Sequence, residues 1–183
     1  MNERPPAVFA QVLGTAYDQL PASLQRFHAG QTAQQWSGTA GVERGTGLLS
    51  RMVAGIFRLP AAGQHVAVQV RIQPSHDSEV WTRTFNHRAF SSALFAGTGS
   101  GPRLLHERFG PFTFGIELVW DVRQLNFVLR NWRFLGIRLP DALVPGGNTH
   151  ETEIDGQFCF HIEITHAVTG LIVAYRGSLT PTD

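Results

Sequence analysis

Apolar and polar residues alternate along most of the chain between residues 65 and 179. Side chains of a β-strand point to opposite faces with a period of two, so this alternation predicts strands with one buried face and one mixed or charged face. The segments that show it are residues 66–73, 80–85, 112–121, 158–165 and 171–175, with 90–95 and 103–108 as weaker matches. Residues 125–134 are less one-sided, so both faces of that strand could be partly covered.

Short connections between these segments favour antiparallel neighbours, because a parallel crossover needs about a dozen residues or more and usually a helix. No helical pattern is visible beyond residue 60. A sheet of this size tends to curl or to close on itself. We therefore predict an α+β fold, in which about seven to nine strands form one strongly curved antiparallel β-sheet, a barrel or half-barrel, over about residues 62–180.

The first 60 residues carry a helical pattern instead. Apolar residues recur at three- and four-residue spacing over residues 8–20 and again over residues 48–57, as they do on one face of an amphipathic helix. Residues 24–27 could add a short turn, and residues 34–44 could form an edge strand. We expect two or three helices, between about residues 5 and 60, to pack on the sheet.

The composition is that of a globular chain. Its 183 residues are 43% hydrophobic, enough for a sizeable core, and no linker divides them, so we expect a single domain over residues 1–183. A formal net charge of +1 with scattered charges argues against a nucleic-acid partner. The chain shows no secretory signal, no apolar span of about 20 residues and one cysteine, Cys159, so we expect a cytoplasmic protein without a membrane span.

Candidate chemistry lies on two predicted strands. Glu107 and Arg108 are adjacent, and Arg83 shares a strand face with Trp81 and Phe85. In an enclosed space of low dielectric constant, Glu107 could act as a general base while Arg83 or Arg108 held an anionic or carbonyl group. The alternative is a structural ion pair. Arg83 points either into a partly polar cavity or to solvent, and the pattern allows both.

The sequence gives weaker support for metal and phosphate sites. His161 and Glu163 share a strand face, with His166 just beyond, and this spacing could present two ligands to a metal. Solvent-facing strands often carry such residues, so we predict no metal and no cofactor. The glycines of residues 45–47 precede a helix but lack the lysine and the parallel strand of a phosphate-binding loop, and they predict a tight turn.

Six motifs give the chain a resemblance to a known family. They are Val42-Glu43-Arg44-Gly45 to Arg51, Arg58-Leu59-Pro60, Trp81-Thr82-Arg83-Thr84-Phe85, Glu107-Arg108-Phe109-Gly110-Pro111, Leu135-Gly136-Ile137-Arg138-Leu139-Pro140 and Tyr175-Arg176-Gly177. With them the chain resembles the bacterial domain-of-unknown-function family 4166 over nearly its whole length. Members occur free-standing or as the C-terminal module of proteins whose front half is similar to an NAD(P)-binding saccharopine dehydrogenase or an epimerase.

The resemblance implies one integral domain and carries no catalytic assignment. It does single out a set of motif residues as candidates for binding a ligand. They are Arg44, Trp81, Arg83, Glu107 and Arg108.

Three functions are compatible with these expectations. The favoured one is a non-enzymatic module that binds a small lipophilic or amphipathic molecule in the concavity between the curled sheet and the helices. The second is an enzyme of isomerase, cyclase or hydrolase type, with Glu107 as acid or base and Arg83 and Arg108 as charge stabilisers. The third is an accessory module that docks onto an NAD(P)-dependent oxidoreductase through an exposed sheet edge. The sequence leaves the ligand and the oligomeric state open.

Overall fold

The computed structural model of the chain describes residues 6–98 and 103–182; residues 1–5, 99–102 and 183 of the predicted domain lie outside this part. The helices are α1 (Val8–Leu13), α2 (Ala22–Phe27) and α3 (Leu48–Ile56), with 3-10 turns at Gly14–Gln19 and Asp141–Leu143. The strands are β1 (Gln34–Arg44), β2 (Gly63–Ser75), β3 (Ser78–Phe85), β4 (Arg88–Ala96), β5 (Leu105–Phe109), β6 (Phe112–Trp120), β7 (Leu125–Phe134), β8 (Ile137–Arg138), β9 (His150–Ile154), β10 (Gln157–His166) and β11 (Gly170–Thr182).

In the described part of the chain, ten strands close into an antiparallel barrel. Their order around the barrel is β1, β2, β3, β4, β5, β6, β7, β9, β10 and β11, and β11 pairs back with β1. The short strand β8 pairs with the end of β7 at the rim. The predicted antiparallel barrel is confirmed, with slightly more strands than expected. The expectation of an edge strand at residues 34–44 is wrong, because β1 is paired on both sides.

Period-two alternation explains which side chains enter the barrel. In β2, Val66, Val68, Val70 and Ile72 are buried, while the residues between them are exposed. Full burial of such an aliphatic side chain contributes about 1.5–3 kcal/mol to stability. The same rule turns the apolar stripes of β6 and β10 inward, so each strand of the predicted pattern adds one row to a common interior.

Helices α1 and α2 fill one end of the barrel, which we call the plugged end. Phe9 of α1 and Phe27 of α2 are completely or almost completely buried. The ring of Phe27 stacks on Phe158 of β10 at a centroid distance of 3.9 Å and meets Trp81 of β3 at 5.2 Å. The two helices touch β4 and β5 as well as β9 and β10, which lie on different sides of the barrel. They therefore pack inside the curved sheet.

Helix α3 lies across the opposite end, which we call the α3 end. Ser50 and Ala54 are its buried residues, and the Ser50 hydroxyl donates a hydrogen bond of 2.7 Å to the carbonyl of Leu171 at the start of β11. Just after the helix, the ring of Phe57 meets those of Phe109 and Phe112 at 5.3 and 5.5 Å. The helix is thus attached to both sides of the barrel mouth. Among the described residues, no helix has the length and apolar character needed to cross a bilayer.

Candidate functional site

Arg83 and Glu107 meet on the inner wall of the barrel. Arg83 lies on the inner face of β3 between two core residues, Trp81 and Phe85. Glu107 lies on β5, separated from β3 by one strand, β4. Arg83 Nη2 is 3.3 Å from Glu107 Oε1. Of the two orientations that the sequence allows for Arg83, the structure has the inward one.

Ser92 of β4 joins the two charged groups. Its hydroxyl accepts a hydrogen bond of 2.8 Å from Arg83 Nη1 and donates one of 2.6 Å to Glu107 Oε1. Hydrogen bonds that involve ionised partners are stronger than neutral ones, so the three groups hold each other in a fixed arrangement. We call Arg83, Ser92 and Glu107 the inner triad. Sequence reasoning missed Ser92 as a member, although its alternation with Phe90 and Leu94 along β4 was a usable signal.

Aromatic rings surround the inner triad. The Arg83 guanidinium lies 5.0 Å from the ring centroid of Trp81 and 5.9 Å from that of Phe90, within the range of cation–π attraction. Tyr175 of β11 is buried nearby, and this burial raises its pKa to about 12; Arg83 opposes the shift and Glu107 adds to it. The Tyr175 hydroxyl is therefore protonated at neutral pH.

Inward side chains of the barrel differ in how completely they are buried. Toward the plugged end, inward side chains such as Ile72, Leu105, Leu125 and Phe158 have almost no exposed surface. Toward the α3 end, inward apolar side chains of β4, β6, β7 and β10 keep part of theirs, whereas those of β2 and β11, such as Val66 and Val173, are buried; the side chains of Arg83 and Glu107 are 17% and 25% exposed. The half-buried inward residues of this half include Phe90, Phe114, Leu129, Ile162 and Ile164. Because the interior of a barrel widens as strands are added beyond about eight, unfilled space next to the triad is physically reasonable.

Of the other three predicted site residues, Trp81 lies beside the contact between Arg83 and Glu107, and Arg108 and Arg44 lie apart from it. Trp81 is a core residue whose indole N–H donates a hydrogen bond of 3.0 Å to Glu79 Oε2. Arg108 is exposed, because it follows Glu107 on β5 and so points outward. Arg44, the last residue of β1, donates to the carbonyls of Leu59 and Pro60 at the α3 end.

A second buried polar pair fastens the helical plug to the barrel. His28 Nε2 lies 2.6 Å from Glu151 Oε2 of β9, and the histidine is fully buried. Its ring stacks on Phe9 at a centroid distance of 3.6 Å. On the other side of the plug, Glu79 accepts a hydrogen bond of 3.2 Å from the backbone N–H of Val8 at the start of α1. These two carboxylates, which sequence reasoning also missed, satisfy polar groups of the plug.

The histidines of β10 lie elsewhere. His161 alternates with the inward residues Phe160 and Ile162, so it faces outward, where its ring stacks on His150 at 5.1 Å. Burial lowers the pKa of His150, and the nearby His161 lowers it further. Over residues 6–98 and 103–182, no group of three or more His, Cys, Asp or Glu side chains is placed to hold a metal ion.

Comparison with known proteins gives one result for most of the chain. Residues 20–179 match the family model described as a domain of unknown function (DUF4166). The matched span contains the inner triad, α3 and nearly all of the barrel. No curated protein matches the chain.

Proposed function

We propose that this chain, which belongs to the DUF4166 family of domains of unknown function, binds a small amphipathic molecule in the α3 half of its barrel. The observation that supports the proposal is the inner triad itself. It is a partly exposed polar group beside inward-facing aromatic and aliphatic side chains. Small-molecule sites have this composition, with a mostly apolar lining and a few fixed polar groups.

The apolar lining favours a ligand with a hydrocarbon or ring portion. Phe90, Phe114, Leu129, Ile162 and Ile164 are inward-facing and only half-buried. Covering apolar surface of this kind stabilises a complex by about 25 cal/mol for each Å² removed from water. The side chains belong to β4, β6, β7 and β10, so a ligand between them would be surrounded by the barrel wall.

The inner triad favours a neutral polar group at the ligand's other end. The charge of Arg83 is balanced by Glu107, so a carboxylate or phosphate placed there would meet a negative group as well as a positive one. A guanidinium has five N–H donors, and the contacts to Ser92 and Glu107 leave others free. A hydroxyl, ketone, ester or amide oxygen could accept a hydrogen bond from them without breaking the ion pair.

The alternative functions have less support. An enzyme that used Glu107 as acid or base would have to work through its second carboxylate oxygen, Oε2, because Oε1 already contacts Arg83 and Ser92. A docking module that paired through a sheet edge would need an open strand. Among the described strands, β8 alone has a single neighbour, and it is two residues long.

Titration with a neutral environment-sensitive dye such as Nile red tests the proposal. We expect saturable binding by the wild-type protein and its loss in Leu129→Trp, which places a large ring in the α3 half of the interior. The matched control is Val119→Trp, since Val119 lies on the outer, exposed side of β6. Thermal melts would establish that both variants fold. Equal dye binding by the wild type and by a folded Leu129→Trp variant would contradict an interior site.

A further inference from the structure

The α3 end of the barrel exposes a group of large apolar side chains, which we call the apolar rim. Its α3 members are turned away from the protein, because the helix packs through the small residues Ser50 and Ala54. The exposed fractions are 83% for Leu48, 50% for Leu49, 56% for Met52 and 70% for Ile56. The rim consists of these four residues with Leu135, Ile137 and Val168, which are 71%, 70% and 66% exposed.

The members of the apolar rim come from loops that meet at this end. The Ser50 hydroxyl binds the Leu171 carbonyl, which follows the turn that carries Val168. On the other side, Phe57 contacts Phe112, and the backbone N–H of Leu135 donates to the Pro111 carbonyl at 2.8 Å. The rim is thus a property of one end of the molecule. At the plugged end, the large apolar side chains of the described residues that are comparably exposed are those of Val122 and Ile154.

Arginines accompany the apolar rim. An open cleft of about 430 Å³ beside α3 is lined by Arg44, Gly45, Thr46, Arg51, Ala61, Ala62 and Arg88. Its lining contains three guanidinium groups and no carboxylate. Burial lowers the pKa of Arg44, and the positive charges of Arg88 and Arg51 lower it further, in that order. In the part of the chain that the structure describes, none of these three arginines has a carboxylate within 4 Å.

We propose that the α3 end binds the surface of a bilayer that contains anionic phospholipids. The apolar rim would enter the boundary between headgroups and acyl chains, as the apolar face of an interfacial helix does. The arginine cleft would take a lipid phosphate, which a planar guanidinium binds through paired hydrogen bonds. Each cation close to an anionic surface strengthens such binding, because it lies in the attractive potential of the lipid headgroups.

The charge and the hydrophobicity of the α3 end together favour an anionic bilayer over a second copy of the chain and over a nucleic acid. A symmetric dimer formed through the same face would bring like arginines together, because a two-fold interface pairs one patch with itself. A nucleic acid would match the arginines, but it would leave Leu48, Met52 and Ile56 in water. An anionic bilayer complements both features. The proposal does not depend on an interior ligand, so either can fail while the other holds.

Vesicle co-sedimentation tests the proposal with the whole chain. Vesicles of phosphatidylcholine with phosphatidylglycerol should bind the wild-type protein, and vesicles of phosphatidylcholine alone should bind it much less. Met52→Ser with Ile56→Ser should weaken the binding by about tenfold or more, since two apolar side chains no longer enter the bilayer. Arg51→Glu with Arg88→Glu should weaken it by at least about tenfold and reduce its salt dependence.

Each double variant has a matched control. Val122→Ser with Ile154→Ser removes exposed apolar residues from the plugged end, and Arg71→Glu with Arg176→Glu reverses two exposed charges on the outer wall. Both controls should bind vesicles like the wild type. The proposal is overturned if the protein ignores anionic vesicles, or if test and control variants lose binding equally. It is also overturned if Met52→Ser with Ile56→Ser dissociates a dimer in sedimentation analysis while vesicle binding is absent.

Discussion

Arg83 and Glu107 form an ion pair across an intervening strand, with the Ser92 hydroxyl bridging them. The guanidinium and carboxylate approach to 3.3 Å, and each makes a second, shorter contact to Ser92. Side chains that are 17% and 25% exposed are shielded from solvent but still reachable from it. The barrel therefore places a balanced pair of charges where an interior ligand would meet them, and the chain cannot lose one charge without leaving the other partly buried.

Replacing Glu107 by glutamine should destabilise the fold moderately. Ser92 keeps an acceptor, but Arg83 loses its counter-charge, and we expect the free energy of unfolding to fall by about 1–2 kcal/mol after allowance for solvent screening. Arg83→Met in the same chain should recover part of that loss, because no unpaired charge remains. Urea denaturation of the two single variants and the double variant measures this coupling.

The ion pair between Arg130 and Glu117 is the control for that measurement. It joins two directly paired strands, β6 and β7, and its side chains are 54% and 37% exposed. Glu117→Gln should change the free energy of unfolding by less than about 1 kcal/mol, as is usual for exposed pairs. A cost as large as that of Glu107→Gln would mean that burial of the inner pair has no special effect.

Much of the barrel could be predicted from the sequence, because period-two alternation directly encodes which side of a strand is buried. Residues 66–73 show how well this works, since they lie in β2 and their apolar members face the core. Residues 125–134 of β7 are less one-sided: Leu125, Phe127 and Leu129 face the core, whereas Phe134 is 39% exposed. Alternation also fixes Arg83 and Glu107 relative to their neighbours on each strand. It does not say which strands are adjacent, so the contact between the two residues depends on a register that no local pattern specifies.

The features that sequence reasoning missed all depend on distant partners. The polar partner of the buried His28 is Glu151, which lies 123 residues further along the chain. Sequence reasoning made a different error for helix α3. Periodicity identifies the apolar stripe of the helix, but it does not show which side of the helix packs on the barrel. Ser50 and Ala54 approach the barrel more closely than leucine or isoleucine side chains could, and most of the apolar stripe is left in solvent: Leu48, Leu49, Met52 and Ile56.

The His28–Glu151 pair should matter more for stability than its single contact suggests. Glu151→Ala leaves the fully buried imidazole without this partner, and we expect a loss of about 2–4 kcal/mol in the free energy of unfolding. Glu153→Ala is the comparison on the same strand, where the carboxylate accepts a 2.9 Å hydrogen bond from the Ser23 backbone N–H near the surface. Chemical denaturation should show the larger loss for Glu151→Ala; equal losses would contradict a structural role specific to the buried pair.

Alkaline titration should show that neither tyrosine ionises at its ordinary pKa. The chain has two, and burial raises both values, that of Tyr175 to about 12. A raised pKa favours the protonated form in the folded state, so the stabilisation is complete below the unfolded-state pKa of about 10 and is lost as pH rises toward 12. Tyrosinate absorbance of the wild type and Tyr175→Phe would assign the higher transition. A Tyr175 that titrates near pH 10 in the folded protein would contradict its burial.

Ligand preference should depend on the charge of Glu107. With the ion pair intact, a long-chain alcohol or ketone should bind more tightly than the carboxylic acid of the same length, because the acid would meet the Glu107 carboxylate. Glu107→Gln leaves a net positive guanidinium, and it should shift the ratio of the two affinities toward the carboxylate by about tenfold or more. Competition against the bound neutral dye measures both affinities. Arg130→Gln, which removes an exposed charge from the outer wall, should leave the ratio of the two affinities unchanged. A shift of equal size in that variant would mean that the inner triad does not contact the polar group of the ligand.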